Sequence, residues 1–253
     1  MTNVLMSGCL GRMGTVIREL ADEKDDIQIV AGVDYKESPV PLPFPTATSF
    51  EDLTVVPDVI VDFSNPSALS SLLAYAKEHG IPAVLCTTGY SEDQIRDIEE
   101  ASKVIPILRS GNMSIGINLL IELAKKAASV LYPDFNIEVI EEHHNQTLEA
   151  PSGTALMIAD EMASVLPDTM EYEYDREAKR EKRPVNEIGI HSIRAGSIVG
   201  EHEVLFGGPD EVIRISHSAG SRKIFGNGAL NAAKFLKNQA PGMYSMSDVI
   251  ADA

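Results

Sequence analysis

Apolar positions in this chain fall into a repeating rhythm of short runs and amphipathic stretches. Asn3 to Met6 is a short apolar run that stops at a glycine-rich turn, Thr15 to Glu23 continues at helical spacing through Val16, Ile17 and Leu20, and a second apolar run, Ile27 to Val33, stops at Asp34. Strand, glycine turn, helix and strand in that order predict the first βαβ unit of a dinucleotide-binding fold. The rhythm then repeats, with strands over Val59 to Phe63, Ala83 to Thr87 and Ile105 to Leu108 and helices over Ser67 to His79 and Ser91 to Lys103. Such alternation predicts a parallel sheet covered on both faces. The proline-rich stretch Ser38 to Pro45 reads as an extended surface loop.

Beyond Gly111 the pattern changes. A helix over Ile115 to Leu131 leads to Asn136 to Glu142, a strand whose alternation predicts one solvated face, and then to a helix over Thr154 to Val165. The charged stretch Glu171 to Arg183 reads as a solvated loop or helix, and Ile188 to Ala195, Ser197 to Phe206 and Val212 to Ser218 read as antiparallel strands. A second, α+β domain is therefore expected to begin near residue 114. A last helix, Gly228 to Lys237, ends near Pro241 and is expected to pack back on the first domain.

Composition narrows the function classes. A chain of 253 residues with 44% apolar content has enough material for two modest folded domains. No apolar run approaches the roughly 20 residues of a membrane span, and Met1 to Leu10 lacks the basic start and apolar core of a secretory leader, so a cytoplasmic location is expected. Cys9 and Cys86 sit far apart in apolar stretches and read as buried thiols. A net charge of −17 argues against nucleic acid and anionic membrane as partners. An anionic ligand then has to be held by local donors.

Two segments concentrate such donors. Gly8-Cys9-Leu10-Gly11-Arg12-Met13-Gly14 lies between the first strand and first helix, where glycines permit a tight turn and a helix N-terminus offers N–H groups to a pyrophosphate. Asp34, 20 residues after Gly14, falls where a carboxylate accepts from the adenosine ribose hydroxyls. Its charge would repel the 2′-phosphate of NADPH, so NADH is the expected cofactor, with Lys36 leaving NADPH as a second option. The second segment runs from Glu141 to Ala155, with adjacent His143 and His144 in a loop and Pro151-Ser152-Gly153-Thr154 opening a helix suited to a carboxylate. No third ligand at metal spacing accompanies the histidines, so no metal is expected.

With these motifs the chain resembles the dihydrodipicolinate reductase family. The resemblance spans nearly the whole chain: the Gly8 to Gly14 turn, Thr87-Thr88-Gly89, Asn112 to Asn118, the His143-His144 and Ala150 to Ala155 block, Arg194 to His202, and Ser221-Arg222. It implies an α/β protein with an N-terminal Rossmann-type dinucleotide-binding domain, residues 1–113 and 222–253, and an α+β domain, residues 114–221, for substrate binding and oligomerisation. It implies that Gly8, Cys9, Leu10, Gly11, Arg12, Met13 and Asp34 hold the dinucleotide, and that Cys86, Thr87, Thr88, Ser110, Gly111, Asn112 and Met113 border the nicotinamide. His144, Ser152, Gly153 and Thr154 would bind a small dicarboxylate, and His143 would be the acid/base residue. The implied reaction is hydride transfer from NAD(P)H to a conjugated cyclic imine, reducing 4-hydroxy-tetrahydrodipicolinate to tetrahydrodipicolinate in lysine and diaminopimelate biosynthesis, in a homotetramer.

The family pattern is broken at a catalytic position, and Glu149-Ala150-Pro151 also stands where it has Asp-Ala-Pro. Thr147 stands where that pattern has a lysine, and a threonine hydroxyl has no proton to give near neutral pH. Three readings are open: the same reductase with His143 or a water supplying the proton, a reductase of a related cyclic imine, and a catalytically weak nicotinamide-binding relative. Lys223, beside Arg222, is a candidate replacement cation, against the simpler reading of a surface lysine. His191, His202 and His217 read as structural or interface residues, and Arg194 as a contributor to the substrate end or a subunit contact.

Overall fold

The computed structural model describes residues 1–252, which fold as two units: Met1–Ile115 with the segment from Arg222 onward, and Gly116–Ser221. In the first unit the chain runs through β1 (Thr2–Ser7), α1 (Arg12–Asp22), β2 (Ile27–Val33), β3 (Thr46–Ala47), β4 (Val59–Asp62), α2 (Leu69–His79), β5 (Ala83–Leu85), α3 (Glu92–Ser102) and β6 (Pro106–Arg109). The second unit holds nearly all of α4 (Ile115–Leu131), then β7 (Asn136–His143), α5 (Gly153–Ala163), β8 (Glu171–Glu173), β9 (Glu187–Arg194), β10 (Glu201–Gly207) and β11 (Val212–Ser218). The chain returns to the first unit with α6 (Lys223–Leu236), β12 (Gly242–Tyr244) and α7 (Met246–Ala251).

Among the described residues the first unit's strands pair in the order β12-β6-β5-β4-β1-β2-β3, all parallel. Side-chain parity fills both faces. Val4, Met6, Val59, Val61, Val84 and Leu108 join one core with Ile17, Leu20, Ala229, Leu230 and Leu236, while the alternate residues Leu5, Ile60, Ala83, Leu85 and Ile107 join another with Leu72, Leu73, Ala76 and Ile98. Strands buried on both faces read as unbroken apolar runs, which is the signal the sequence carries here. From β1 the chain first adds β2 on one side and later β4 on the other, so the strand order reverses between β1 and β4. At such a switch point the loops leaving neighbouring strands part and a crevice opens at the carboxyl edge.

In the second unit one face of the sheet packs on α4 and α5. Ile137, Val139, Ile188, Ile190, Val204 and Phe206 meet Ile117, Leu120, Ile121, Ala124, Ile158 and Met162 in a third core. The strand order is β11-β10-β7-β9-β8. The expected antiparallel pairing holds for β10 and β11 and is corrected for β9. β9 runs parallel to both β7 and β8, while β10 lies on the other side of β7 and is antiparallel to it and to β11. A parallel partner is reached by a crossover rather than a hairpin, and α5 provides it between β7 and β9. Strand β10 also starts later than expected, at Glu201, because Gly196 turns the chain with a φ of +52°.

The charged stretch Glu171 to Arg183 is likewise neither a helix nor wholly solvated. Its first residues pair as β8, Arg176 Nη1 lies 2.7 Å from both carboxylate oxygens of buried Glu187, and Arg183 Nη1 lies 2.5 Å from Glu138 Oε1. Helix α6 begins five residues earlier than its apolar spacing predicts, at Lys223. No helix among the described residues is long and apolar enough to cross a membrane.

Candidate active site

The first unit's crevice is built by the turn between β1 and α1. Gly8 has a φ of +79°, in the left-handed region that favours glycine, and a Cβ there would sit 2.6 Å from the carbonyl oxygen of Phe63. A Cβ on Gly14 would sit 2.5 Å from the Gly8 carbonyl oxygen and 2.6 Å from that of Cys9. Both contacts are with backbone, so no side chain can swing aside. The replacement Gly14→Ala is expected to lower stability by about 1–3 kcal/mol, the usual range for overpacking, and to weaken dinucleotide binding at least tenfold. Thermal melting and a calorimetric titration with NADH check both; an unchanged affinity would show that the turn does not shape the cofactor crevice.

Helix α1 starts at this turn with no side chain capping its first N–H groups, so its positive end is available to an anion. Asp34 follows β2, and its Oδ2 accepts from the Leu10 N–H at 2.9 Å, tying the acidic residue to the glycine turn. Together Ser7, Gly8, Leu10, Gly11, Asp34 and Phe63 contribute to a cavity of about 570 Å³, a volume suited to part of a dinucleotide. Tyr35 beside it is 86% exposed, with Lys36 Nζ 5.2 Å from the ring centroid. Uncapped N–H groups, a glycine turn without room for side chains and an acidic residue after β2 fit a nicotinamide dinucleotide.

Not every expected cofactor residue faces that cavity. Cys9 is buried beneath the turn, where burial and then Asp34 push its thiol up to about 11. Arg12 and Met13 lie in the first turn of α1, the former exposed. Cys86, Thr87 and Thr88 follow β5; Cys86 is buried, its thiol pushed up first by burial and then by Asp62, and Thr87 Oγ1 donates to Asp62 Oδ2 at 2.6 Å. Ser110 to Met113 form a turn after β6, in which Ser110 Oγ donates to the Asn112 carbonyl at 2.8 Å and Asn112 Oδ1 accepts from the Ser114 N–H at 2.9 Å. Gly111 is exposed, whereas Met113 is part of the core. These segments therefore follow neighbouring strands at the carboxyl edge of one sheet.

In the second unit the chemistry centres on Glu141, a residue to which sequence reading assigned no role. Alternation along β7 sends Ile137, Val139, Glu141 and His143 to the same face, and Glu141 is fully buried. Register puts Arg194 of β9 opposite His143, and His202 of β10 opposite Glu141. Arg194 grips Glu141 with both forks, Nη1 to Oε2 at 2.8 Å and Nη2 to Oε1 at 2.7 Å. The His143 Nδ1 lies 2.6 Å from Glu141 Oε2, and the Ser152 N–H donates to Oε1 at 3.1 Å. Burial alone would raise the Glu141 carboxyl, but Arg194, Ser192 and His143 together hold it down at about 2.

Around this hub the remaining expected residues fall into place. Ser152 caps α5, its Oγ accepting from the Ala155 N–H at 3.2 Å and lying 3.2 Å from His202 Nε2. Gly153 and Thr154 form the first turn of that helix, and a Cβ on Gly153 would meet open space. His202 is buried and pushed down to about 4, chiefly by burial and then by His143, whose ring centroid is 5.3 Å away. The His143 ring packs against Gly200, where a Cβ would stand 3.1 Å from Nε2. His144 and Thr147 share a turn: the Thr147 N–H donates to the His144 carbonyl at 3.0 Å and its Oγ1 lies 3.2 Å from His144 Nδ1. Lys223 belongs to the first unit, where its Nζ is 3.8 Å from Glu23 Oε1. His191 pairs with Glu138 at 2.9 Å, and His217 is pushed down by burial.

Comparison with known proteins agrees along the whole chain. Residues 2–113 match the family model for the N-terminus of dihydrodipicolinate reductase and residues 116–250 that for its C-terminus. A 4-hydroxy-tetrahydrodipicolinate reductase of Caldanaerobacter subterraneus subsp. tengcongensis is 52% identical over 99% of this chain and 98% of its own length. One from Clostridium tetani is 50% identical over 97% of this chain and 96% of its own. A solved structure, dipicolinate-bound dihydrodipicolinate reductase from Paenisporosarcina sp. TG-14, superposes with a TM-score of 0.83 at 25% identity, covering 97% of both chains. With its glycine turn inside the first matched region and its Glu141–His143–Arg194 cluster inside the second, this chain belongs to the dihydrodipicolinate reductase family.

Proposed function

We propose that this protein reduces 4-hydroxy-tetrahydrodipicolinate with NADH, and that His143 delivers the proton. One observation carries the proton assignment: the His143 ring is fastened through Nδ1 to a buried, ionised Glu141, which leaves Nε2, on the side of Gly200, as the second ring nitrogen. A carboxylate on Nδ1 fixes which ring nitrogen carries the permanent hydrogen and leaves Nε2 to gain and lose the working proton. Relatives that are half identical over almost the full chain carry the name of this reductase.

The cofactor, when bound, supplies the hydride. This chain's residues then have to bind, align and protonate. The uncapped first turn of α1 holds the pyrophosphate, Asp34 accepts from the adenosine ribose, and Cys86 to Thr88 with Ser110 to Met113 border the nicotinamide. A carboxylate at Asp34 disfavours the extra phosphate of NADPH by like charge, so NADH is the preferred form and NADPH the weaker one. His144, Ser152, Gly153 and Thr154 receive the dicarboxylate at the start of α5, the ligand class seen as dipicolinate in the related structure. Thr147 adds no acid, its hydroxyl being turned to His144.

Copies of the chain pair through the open face of the second sheet, giving a homotetramer. That face exposes Ile193 and Val212 at 42% and 56%. The nicotinamide pool such a reaction draws on is cytoplasmic, and we place the protein there.

The test follows absorbance at the reduced-nicotinamide band with freshly generated substrate, for the wild type and Thr147→Lys, with NADH and with NADPH. Turnover by the wild type, faster with NADH, and a rise in kcat/KM in Thr147→Lys are expected. A silent wild type beside an active Thr147→Lys would show that the chain has lost its proton donor, and the assignment to His143 would fall.

A further inference from the structure

Asp62 is the last residue of β4, at the carboxyl edge of the first sheet, and only 2% of its surface is exposed. Its Oδ1 accepts from Ser64 Oγ at 2.5 Å, and its Oδ2 from Thr87 Oγ1 at 2.6 Å and Tyr90 OH at 3.3 Å. Among the described residues every side chain donating to it is a hydroxyl. All three bonds use the oxygens of the Asp62 carboxylate as acceptors. Hydroxyl dipoles stabilise such a charge without cancelling it. Glu141 in the second unit, gripped by Arg194 on both oxygens, is the contrasting case of a buried carboxylate neutralised by a cation.

The residual charge is placed among groups that respond to it. Burial first and Asp62 second push up both the Cys86 thiol and the Tyr90 hydroxyl. Thr87, whose hydroxyl touches Asp62, directly follows Cys86 after β5. A nicotinamide ring is neutral in the reduced dinucleotide and carries a full positive charge in the oxidised one, so a buried uncompensated anion nearby distinguishes the two states.

We propose that Asp62 biases the cofactor unit toward the positively charged, oxidised nicotinamide and thereby favours departure of the hydride. The inference rests on the reading of Cys86 to Thr88 as the nicotinamide border. As the hydride leaves with its bonding electron pair, the dihydronicotinamide is oxidised and its ring becomes cationic. The 4-hydroxyl of the substrate leaves as water to give the conjugated cyclic imine, whose ring is then reduced by formation of a C–H bond to the transferred hydride, and the proton from His143 completes the balance. Asp62 touches neither reacting partner; it acts through Thr87 and through its field, as a positioning residue. Its charge lowers the energy of the state in which the ring is cationic, and by the same token tightens product NAD+ relative to NADH.

The experiment is a calorimetric titration of the full-length protein with NADH, NAD+ and ADP-ribose, which lacks the nicotinamide, for the wild type and Asp62→Asn. In Asp62→Asn, NAD+ is expected to weaken about tenfold relative to NADH, while ADP-ribose stays within about twofold of the wild type. A ratio of NAD+ to NADH affinity unchanged within about twofold, with ADP-ribose still bound, overturns the inference and leaves the cofactor site standing. Failure of the wild type to bind any of the three removes the cofactor reading and the inference with it. Should Asp62→Asn not fold, Tyr90→Phe decides: it deletes the 3.3 Å donor and keeps the carboxylate, so the preference for NAD+ must persist or grow, and its loss would count against Asp62.

Discussion

Replacing Arg194 with methionine is expected to destabilise the protein by about 3–5 kcal/mol, because it strips a fully buried carboxylate of the guanidinium that grips both its oxygens. Arg194 also reaches the Glu149 carbonyl, so the loop before α5 loses its anchor at the same time. The double replacement Arg194→Met with Glu141→Leu is expected to recover most of the stability, since a buried pair exchanged for apolar groups costs little, but not the activity. Urea unfolding of the three proteins checks this. If Arg194→Met lay within about 1 kcal/mol of the wild type, Glu141 would not be the hub described.

The same pair sets an acid limit. Glu141 is lowered from its ordinary 4.5 to about 2 in the folded protein, so the unfolded chain binds the proton more readily. Its contribution to stability is therefore complete above pH about 4.5 and is lost as the pH falls through about 2.

His143→Gln is expected to lower kcat/KM for the cyclic imine by about 10²- to 10⁴-fold, the usual contribution of a positioned acid, while leaving the affinity for NADH unchanged. The loss falls on kcat because the glutamine keeps a hydrogen-bonding side chain but has no proton to release. His202 cannot stand in for it: burial and the neighbouring His143 keep His202 neutral down to about pH 4, and its Nε2 is within 3.2 Å of Ser152 Oγ. Steady-state rates with saturating NADH decide the matter, and a variant within about threefold of the wild type would move the proton donor elsewhere.

How much of this was legible beforehand depended on whether the deciding contacts were local. The βα alternation of the first unit could be read because strands buried on both faces are unbroken apolar runs, as Val59 to Val61 and Ala83 to Leu85 are. Strands β3 and β12, of two and three residues, are too short to carry a pattern and exist only through their neighbours Val33 and Leu108. The direction of β9 in the second sheet was misread because apolar alternation reports which face a residue takes and says nothing of its partner. Glu141 illustrates both sides. Its inward parity with Val139 and His143 was available from the strand pattern, yet the residue that makes its burial tolerable, Arg194, lies 53 positions away. Thr147 was visible as a departure from the family pattern, but its commitment to the His144 turn was not.

The order in which the sheets are assembled has a bearing on how the chain is made. The second unit is one uninterrupted segment, whereas the first needs residues on both sides of it. Ala229, Leu230 and Leu236 of α6 belong to the core that covers one face of the first sheet, and β12 forms its edge against β6. A nascent chain stopped at Ser221 thus contains everything the second unit requires, while the first is left with an uncovered apolar face. Emerging from the ribosome, the unit that starts ahead of the other finishes after it, and its crevice takes final form only once the segment from Arg222 onward is free of the exit tunnel.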